Sequence, residues 1–378
     1  MNVNVIATGH TKFGKDPRDI GDIMVDACNQ ALTTISIKEI DAIYIANFSS
    51  SFSNQCHLPA VLASKLNIHT EITRVESACA SGGLAIKEAS IAIRSGIYDK
   101  ILVVGAEKMT SMLSGHTNGI IARAADQEEI NHGTTFPGLY ALMAKRHFFE
   151  YGTNEEHLAK IAVKNHKNAL KNPNAQFHKK ISIDDVLTSA NVASPLKKYD
   201  CSPISDGAAA LVMCSSKTAK KYSDSPIKLI GIGHDVGGIE LYRRKEITTM
   251  PSVVNAAKKA FSMAKVTAKD IDVAELHDCF TIAELIEMED IGFCKKGNGK
   301  QLIENGATEI DGTIPINPCG GLKAKGHPLG ATGVSQAVEI VKQLQSEAKE
   351  RQIATADIGL CCNVGGSGGS AVISIFSR

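Results

Sequence analysis

Two spacings of apolar residues alternate along the chain. In "DAIYIANF" (41–48) and "KILVVGAEKM" (100–109) apolar residues run nearly unbroken over the length of a buried strand. In "LAIKEASIAIRSG" (84–96) they recur at helical intervals and stop at Gly96. The opening "MNVNVIATGHTKFG" reads as a strand and a glycine-containing turn. This order predicts an α/β fold in which helices cover a mixed or parallel sheet.

The rhythm breaks between about residues 113 and 203, a stretch rich in His, Asn, Lys and polar turns. Helices are predicted there at "GLYALMAKRHFFEYG" and "EEHLAKIAVKNHKNALKN". The stretch reads as an insertion covering one face of the core, a lid or binding segment rather than a third domain. The core pattern resumes at "SDGAAALVMCSS", and the chain closes on a similar "GGSGGSAVISIFS". "ESACASGGLAIKEASIAI" and "GHPLGATGVSQAVEIVKQL" are also alike, each a glycine-containing loop opening an amphipathic helix. Two matched halves, residues 1–225 and 226–378, account for these pairings.

The length of 378 residues, 43% of them hydrophobic, gives room for two domains or one large composite core. The 41 Lys and Arg nearly cancel the 40 Asp and Glu, so no global field draws the chain to nucleic acid or an anionic membrane. An anionic ligand has to be gripped locally. No apolar run reaches the length of a membrane span, and the N-terminus lacks the regions of a signal peptide, which predicts a cytoplasmic protein. Its ten cysteines show no CxxC spacing and are expected as free thiols, mostly small buried hydrophobes.

Four stretches carry candidate chemistry. Cys79 in "VESACASGG" falls at the start of a predicted helix, where backbone N–H groups favour a thiolate and small neighbours leave room for a substrate; a packed core cysteine would look the same. His327 in "GHPLGATG" is held by Pro328 in a glycine loop that occupies, in the second half, the place of the Cys79 loop. A cysteine and a histidine meeting there would make a nucleophile and its base. The glycines of "CCNVGGSGGS" (361–370) could aim N–H groups at a ligand oxygen, while Cys361 and Cys362 read as strand interior. In "ELHDCF" (275–280), His277 and Cys279 are two apart and would share a face in a strand, though not necessarily in a loop. No local CxxC or HxxxH set supports a metal site.

Together "ESACASGG", "HDCF", "GHPLGATG" and the terminal glycine loop resemble the thiolases, in order and over essentially the whole chain. The resemblance implies a five-layered αβαβα fold of two related halves with an inserted loop domain, coenzyme A thioester substrates, and no metal or redox cofactor. "HDCF" is similar to the sterol-carrier-protein-type and archaeal members. It implies an acetyl-CoA C-acetyltransferase acting on acetyl-CoA, acetoacetyl-CoA and CoA, with a broader 3-ketoacyl-CoA thiolase or a non-catalytic acyl-CoA-binding scaffold as alternatives. It further implies a homodimer or tetramer, associated in the archaeal case with hydroxymethylglutaryl-CoA synthase through a small zinc- and OB-fold protein.

Many thiolases carry a second cysteine in a C-terminal "CxG" motif, where this chain has Asn363, which cannot take a proton from carbon. Cys279 is the expected replacement. The implied roles are Cys79 as nucleophile, His327 as its base and Cys279 as the second acid/base. The N–H groups of Cys79 and Gly365 form one oxyanion hole, His277 and His327 the other. Asp278 reads as an orienting or structural acid and Phe280 as packing near the acyl end. Phe136, Leu139, Tyr140 and Met143 are bulky residues able to restrict the acyl pocket, and "YRRK" (242–245) is a basic run able to meet CoA phosphates.

Overall fold

The apolar runs become the strands of one large sheet. A computed structural model describes residues 3–378; Met1 and Asn2, the first residues of the strand predicted at the N-terminus, lie outside the described residues. In chain order the strands are β1 (Val3–His10), β2 (Ala42–Ala46), β3 (Glu71–Val75) and β4 (Lys100–Lys108). A short hairpin follows, β5 (Asn191–Ala193) with β6 (Leu196–Lys197). The core then resumes with β7 (Asp206–Ser215), β8 (Ile227–Val236), β9 (Val273–Glu275), β10 (Ile358–Gly365) and β11 (Ser370–Ser377).

The sheet order is β3-β2-β4-β7-β1-β8-β11-β10-β9, and it repeats. In the first half β1 pairs antiparallel with β7, β7 antiparallel with β4, and β4 parallel with β2. In the second half β8, β11, β10 and β9 pair in the same sequence and the same senses. A parallel bridge from Ala274 to Ile316 stands where β3 stands beside β2. The halves join edge to edge where Val3–Val5 of β1 run antiparallel to Ile227–Leu229 of β8.

Three apolar cores divide the layers. The middle core places Ala85, Ile86, Ala89 and Ile93 of helix Ser81–Ser95 with Val334, Ala337, Val338 and Val341 of helix Thr332–Leu344, between strand residues of both halves. Helix Ile20–Ala31 covers the outer face of the first half, and helices Pro251–Ala264 and Thr281–Ile291 that of the second. The result is the five-layered α/β arrangement of two related halves expected from the sequence. Both central helices bury their apolar stripes, and burying one Val, Leu or Ile side chain contributes roughly 1.5–3 kcal/mol.

The two central helices approach most closely at their first turns, and glycine permits it. A Cβ on Gly82 would lie 2.8 Å from the Gly333 backbone, and one on Gly333 would overlap the Gly83 nitrogen and the Asn363 side-chain oxygen. The loops that precede these helices, carrying Cys79 and His327, are therefore brought face to face. Within the insertion, helices Phe136–Tyr151 and Glu155–Ala169 pack against helix Thr281–Ile291. Buried Lys164 donates to Glu284 at 2.6 Å and to the Ile316 carbonyl at 2.9 Å, tying the insertion to the second half.

Candidate active site

Cys79 sits in a tight turn between β3 and the first central helix. Ala78 has φ +49°, a left-handed conformation that costs a residue with a Cβ about 1 kcal/mol or more. The turn is held by the Ala78 N–H donating to Glu76 and by the Ser81 hydroxyl donating to the Ala78 carbonyl. His327 comes from the loop before the second central helix, where its backbone N–H donates to Ser205 Oγ at 2.9 Å. His277 and Cys279 lie in the loop between β9 and helix Thr281–Ile291. That loop is a turn, not a strand: the Cys279 N–H donates to the His277 carbonyl at 2.8 Å, yet both side chains still face one cavity.

The ligand-capable atoms of Cys79, His277 and His327 all lie within 4.8 Å of one another. The two imidazoles meet edge to face, with ring centroids 5.0 Å apart. They line a largely apolar cavity of about 550 Å³ with Cys279, Phe280, Tyr140, Phe136 and Gly366. Residues 118–140 of the insertion supply one wall. Tyr140 packs on Phe280 with the rings tilted by 30° and centroids 4.6 Å apart, and its hydroxyl contacts the Cys279 thiol while donating to the Gly366 carbonyl at 3.0 Å. Leu139 and Met143 instead turn into the outer core.

Burial sets the resting protonation states. It pushes the Cys79 thiol up to about 12 against the pull of the Gly366 N–H, and it raises Cys279 as well. His327 falls to about 3, through burial first and then Lys325; His277 is also lowered, by burial and then His327. The resting site thus holds neutral thiols beside neutral imidazoles.

The tautomer of His327 follows from its partners. Thr332 Oγ1 donates to the Pro328 carbonyl at 2.9 Å, so the hydroxyl can only accept in its 2.7 Å contact with His327 Nδ1. The proton of the neutral ring is on Nδ1, leaving Nε2 as a free base.

The structure corrects one expected donor and reveals others. Gly365, expected to supply the second oxyanion N–H, is still in the β10–β11 ladder opposite Ser370. The chain leaves the ladder at Gly366, and it is the Gly366 N–H that reaches the Cys79 sulfur. The glycine turn is fixed by Arg244 donating to the Ser367 carbonyl and Ser252 donating to the Gly368 carbonyl. Arg244 of "YRRK" therefore braces the turn, while Arg243 is exposed beside Glu240.

Asp278 faces away from the cavity and accepts the Leu322 and Lys323 N–H groups and the Asn165 amide. Its carboxyl is raised to about 7 by burial and then by Glu284. Glu107 on β4 went unnoticed in the sequence. It accepts the Gly330 N–H at 2.9 Å, anchoring the His327 loop, and that of Phe48 at 2.8 Å. An acid inside the apolar run "KILVVGAEKM" was the available signal, since an unpaired carboxylate is not tolerated there. Burial raises it to about 7.

The sequence and fold match known proteins over their whole length. Residues 3–217 match the family model "Thiolase, N-terminal domain" and residues 233–378 the model "Thiolase C-terminal domain-like". The chain is 46% identical to an acetyl-CoA acetyltransferase of Methanothermobacter thermautotrophicus, covering 100% of both chains. It is 42% identical to one of Methanocaldococcus jannaschii, covering 100% of this chain and 99% of that one. Among solved structures, the Ltp2-ChsH2(DUF35) aldolase superposes with a TM-score of 0.86 at 23% identity, over 99% of this chain and 97% of that one. Matched in both halves and along its full length, the chain belongs to the thiolase family.

Proposed function

We propose that this protein is an acetyl-CoA C-acetyltransferase, catalysing the reversible Claisen condensation of two acetyl-CoA to acetoacetyl-CoA and CoA. The observation that carries the reading is the convergence of Cys79, His277 and His327 within 4.8 Å in an apolar cavity shared with Cys279. The names of its two archaeal relatives support it.

His327 Nε2 takes the Cys79 proton as the sulfur attacks the thioester carbonyl, and the N–H groups of Cys79 and Gly366 hold the oxyanion. The departing CoA sulfur takes its proton from Cys279, leaving an acetylated Cys79 and a Cys279 thiolate. A second acetyl-CoA then binds with its thioester oxygen between His277 and the protonated His327. Cys279 removes its α-proton, and the carbanion attacks the acetyl group. Cys79 leaves and recovers its proton from His327, so every group returns to its starting state.

No step in this scheme uses a metal or redox cofactor. Tyr140 and Phe280 line the cavity beside Cys279, and the bulk of these two rings is the support for acetyl over broader 3-ketoacyl substrates. A dimer or tetramer, and assembly with hydroxymethylglutaryl-CoA synthase through a small zinc- and OB-fold protein, follow the family resemblance. No helix of the described residues is long and apolar enough to cross a membrane. The two halves form one catalytic unit divided near residue 225, with 113–203 as the loop domain.

The test is acetoacetyl-CoA thiolysis by the purified protein in the presence of a chelator, with mass spectrometry of the Cys79 peptide. Turnover with an acetyl group on Cys79 is expected. If neither appears, the chain is an acyl-CoA-binding scaffold. Tyr140→Phe removes the donor to the Gly366 carbonyl, a loss of about 1 kcal/mol for one neutral hydrogen bond, so kcat should fall about fivefold. An unchanged kcat would show that the turn needs no such brace.

A further inference from the structure

The side-chain amide of Asn363 bridges the two halves, and two of its three partners have fixed hydrogen-bonding roles. Its Oδ1 accepts from the Gly83 N–H at 2.9 Å, and a backbone N–H can only donate. Its Nδ2 donates to the Cys79 carbonyl at 2.9 Å, and a carbonyl can only accept. The amide therefore has a single orientation, in which Nδ2 also lies 3.2 Å from Nδ1 of His277. An NH2 group brings only protons to that contact, so Nδ1 has to be the unprotonated nitrogen. The proton of the neutral ring is then on Nε2.

We infer that Asn363 is a positioning residue that locks His277 in its Nε2–H tautomer, giving the enolate oxygen a donor that exists before any proton has moved. The inference rests on the thiolase reading of the site, and it gives a use to a residue that stands where many family members have a cysteine. The two imidazoles then hold opposite tautomers. His327, set by Thr332, offers a lone pair and becomes a donor only after taking the Cys79 proton. His277 is a donor throughout. The titratable groups around it are His327 and Cys79 from the two facing loops, Cys279 from its own loop, and Glu287 from helix Thr281–Ile291. Glu287 accepts the backbone N–H of His277 at 2.8 Å.

The experiment is nitrogen-15 NMR of histidine-labelled wild type and Asn363→Asp, with His277 assigned by its loss in His277→Ala. Wild type should show His277 protonated on Nε2 and bare on Nδ1. In Asn363→Asp a carboxylate faces Nδ1 and draws a proton onto it. Below the pKa of the resulting imidazolium the donor survives; above it Nε2 is bare. Condensation should then fall about a hundredfold on the alkaline side, as when one oxyanion donor is lost, with KM and single-turnover acetylation of Cys79 nearly unchanged. A wild-type ring protonated on Nδ1 overturns the inference whether or not the variant folds, and so does a folded variant that condenses at the wild-type rate at every pH. A wild type inactive on acetoacetyl-CoA would sink the functional reading alone, because the tautomer is read from the spectrum.

Discussion

Cys279→Ala should still acetylate at Cys79 while losing turnover by about a hundred- to ten-thousandfold, the range of a general acid/base. In the first half-reaction Cys79, His327 and the amides of Cys79 and Gly366 are untouched by the substitution; only the proton that Cys279 gives the departing coenzyme A is lost, and a thiol can depart as the thiolate without it. The second half-reaction needs a base for the α-proton, and Cys279 is the residue argued to provide it. Asn363 cannot, because a carboxamide is not a base at neutral pH, and both ends of this one are engaged with Gly83 and Cys79. Thiolysis assays paired with mass spectrometry of the Cys79 peptide separate the two halves. A variant that turns over normally would place the proton carrier elsewhere.

His327→Asn should fail one step earlier, at acetylation itself. With Cys79 pushed up to about 12, roughly one thiol in 10⁵ is ionised at pH 7, so the sulfur depends on a base within reach. Acetylation should slow by about a thousandfold or more and then climb roughly tenfold per pH unit, as hydroxide replaces the imidazole. Wild type should behave differently. A histidine lowered to about 3 keeps its basic form as pH falls, so the wild-type acetylation rate should stay level from about pH 8 to 5. Stopped-quench acetylation across that range decides it, and an inflection near 6.5 would mean an unperturbed imidazole.

What the sequence made legible was local. The apolar runs at 41–48 and 100–109 became β2 and β4, and the helix ending at Gly96 ended there, because strand length and helix spacing are written in neighbouring residues. Cys79, His277, Cys279 and His327 stood out because each lies in a short, unusual motif. What stayed hidden depends on contacts between distant residues. The choice of Gly366 over Gly365 turns on where the ladder with β11 stops. The roles of Glu107 and Arg244 appear only when residues 330 and 367 fold back onto them. Nothing in the insertion's sequence tells Tyr140, which enters the cavity, from Leu139 and Met143, which turn away. Asn363 looked like a missing cysteine because its partners, Cys79 and Gly83 in one stretch and His277 in another, are far from it in the sequence.

The glycine contact between the two central helices also has a consequence for the protein while it is being made. A nascent chain presents Cys79 early, but the partners that make it a catalyst are translated much later: His327, then Asn363, then the Gly366 amide in the β10–β11 hairpin. Until those last residues are synthesised the thiol has neither a base nor a complete oxyanion hole. Acyl transfer through Cys79 is therefore off until those residues fold back onto it, and a fragment released early carries an ordinary exposed thiol rather than a working catalyst.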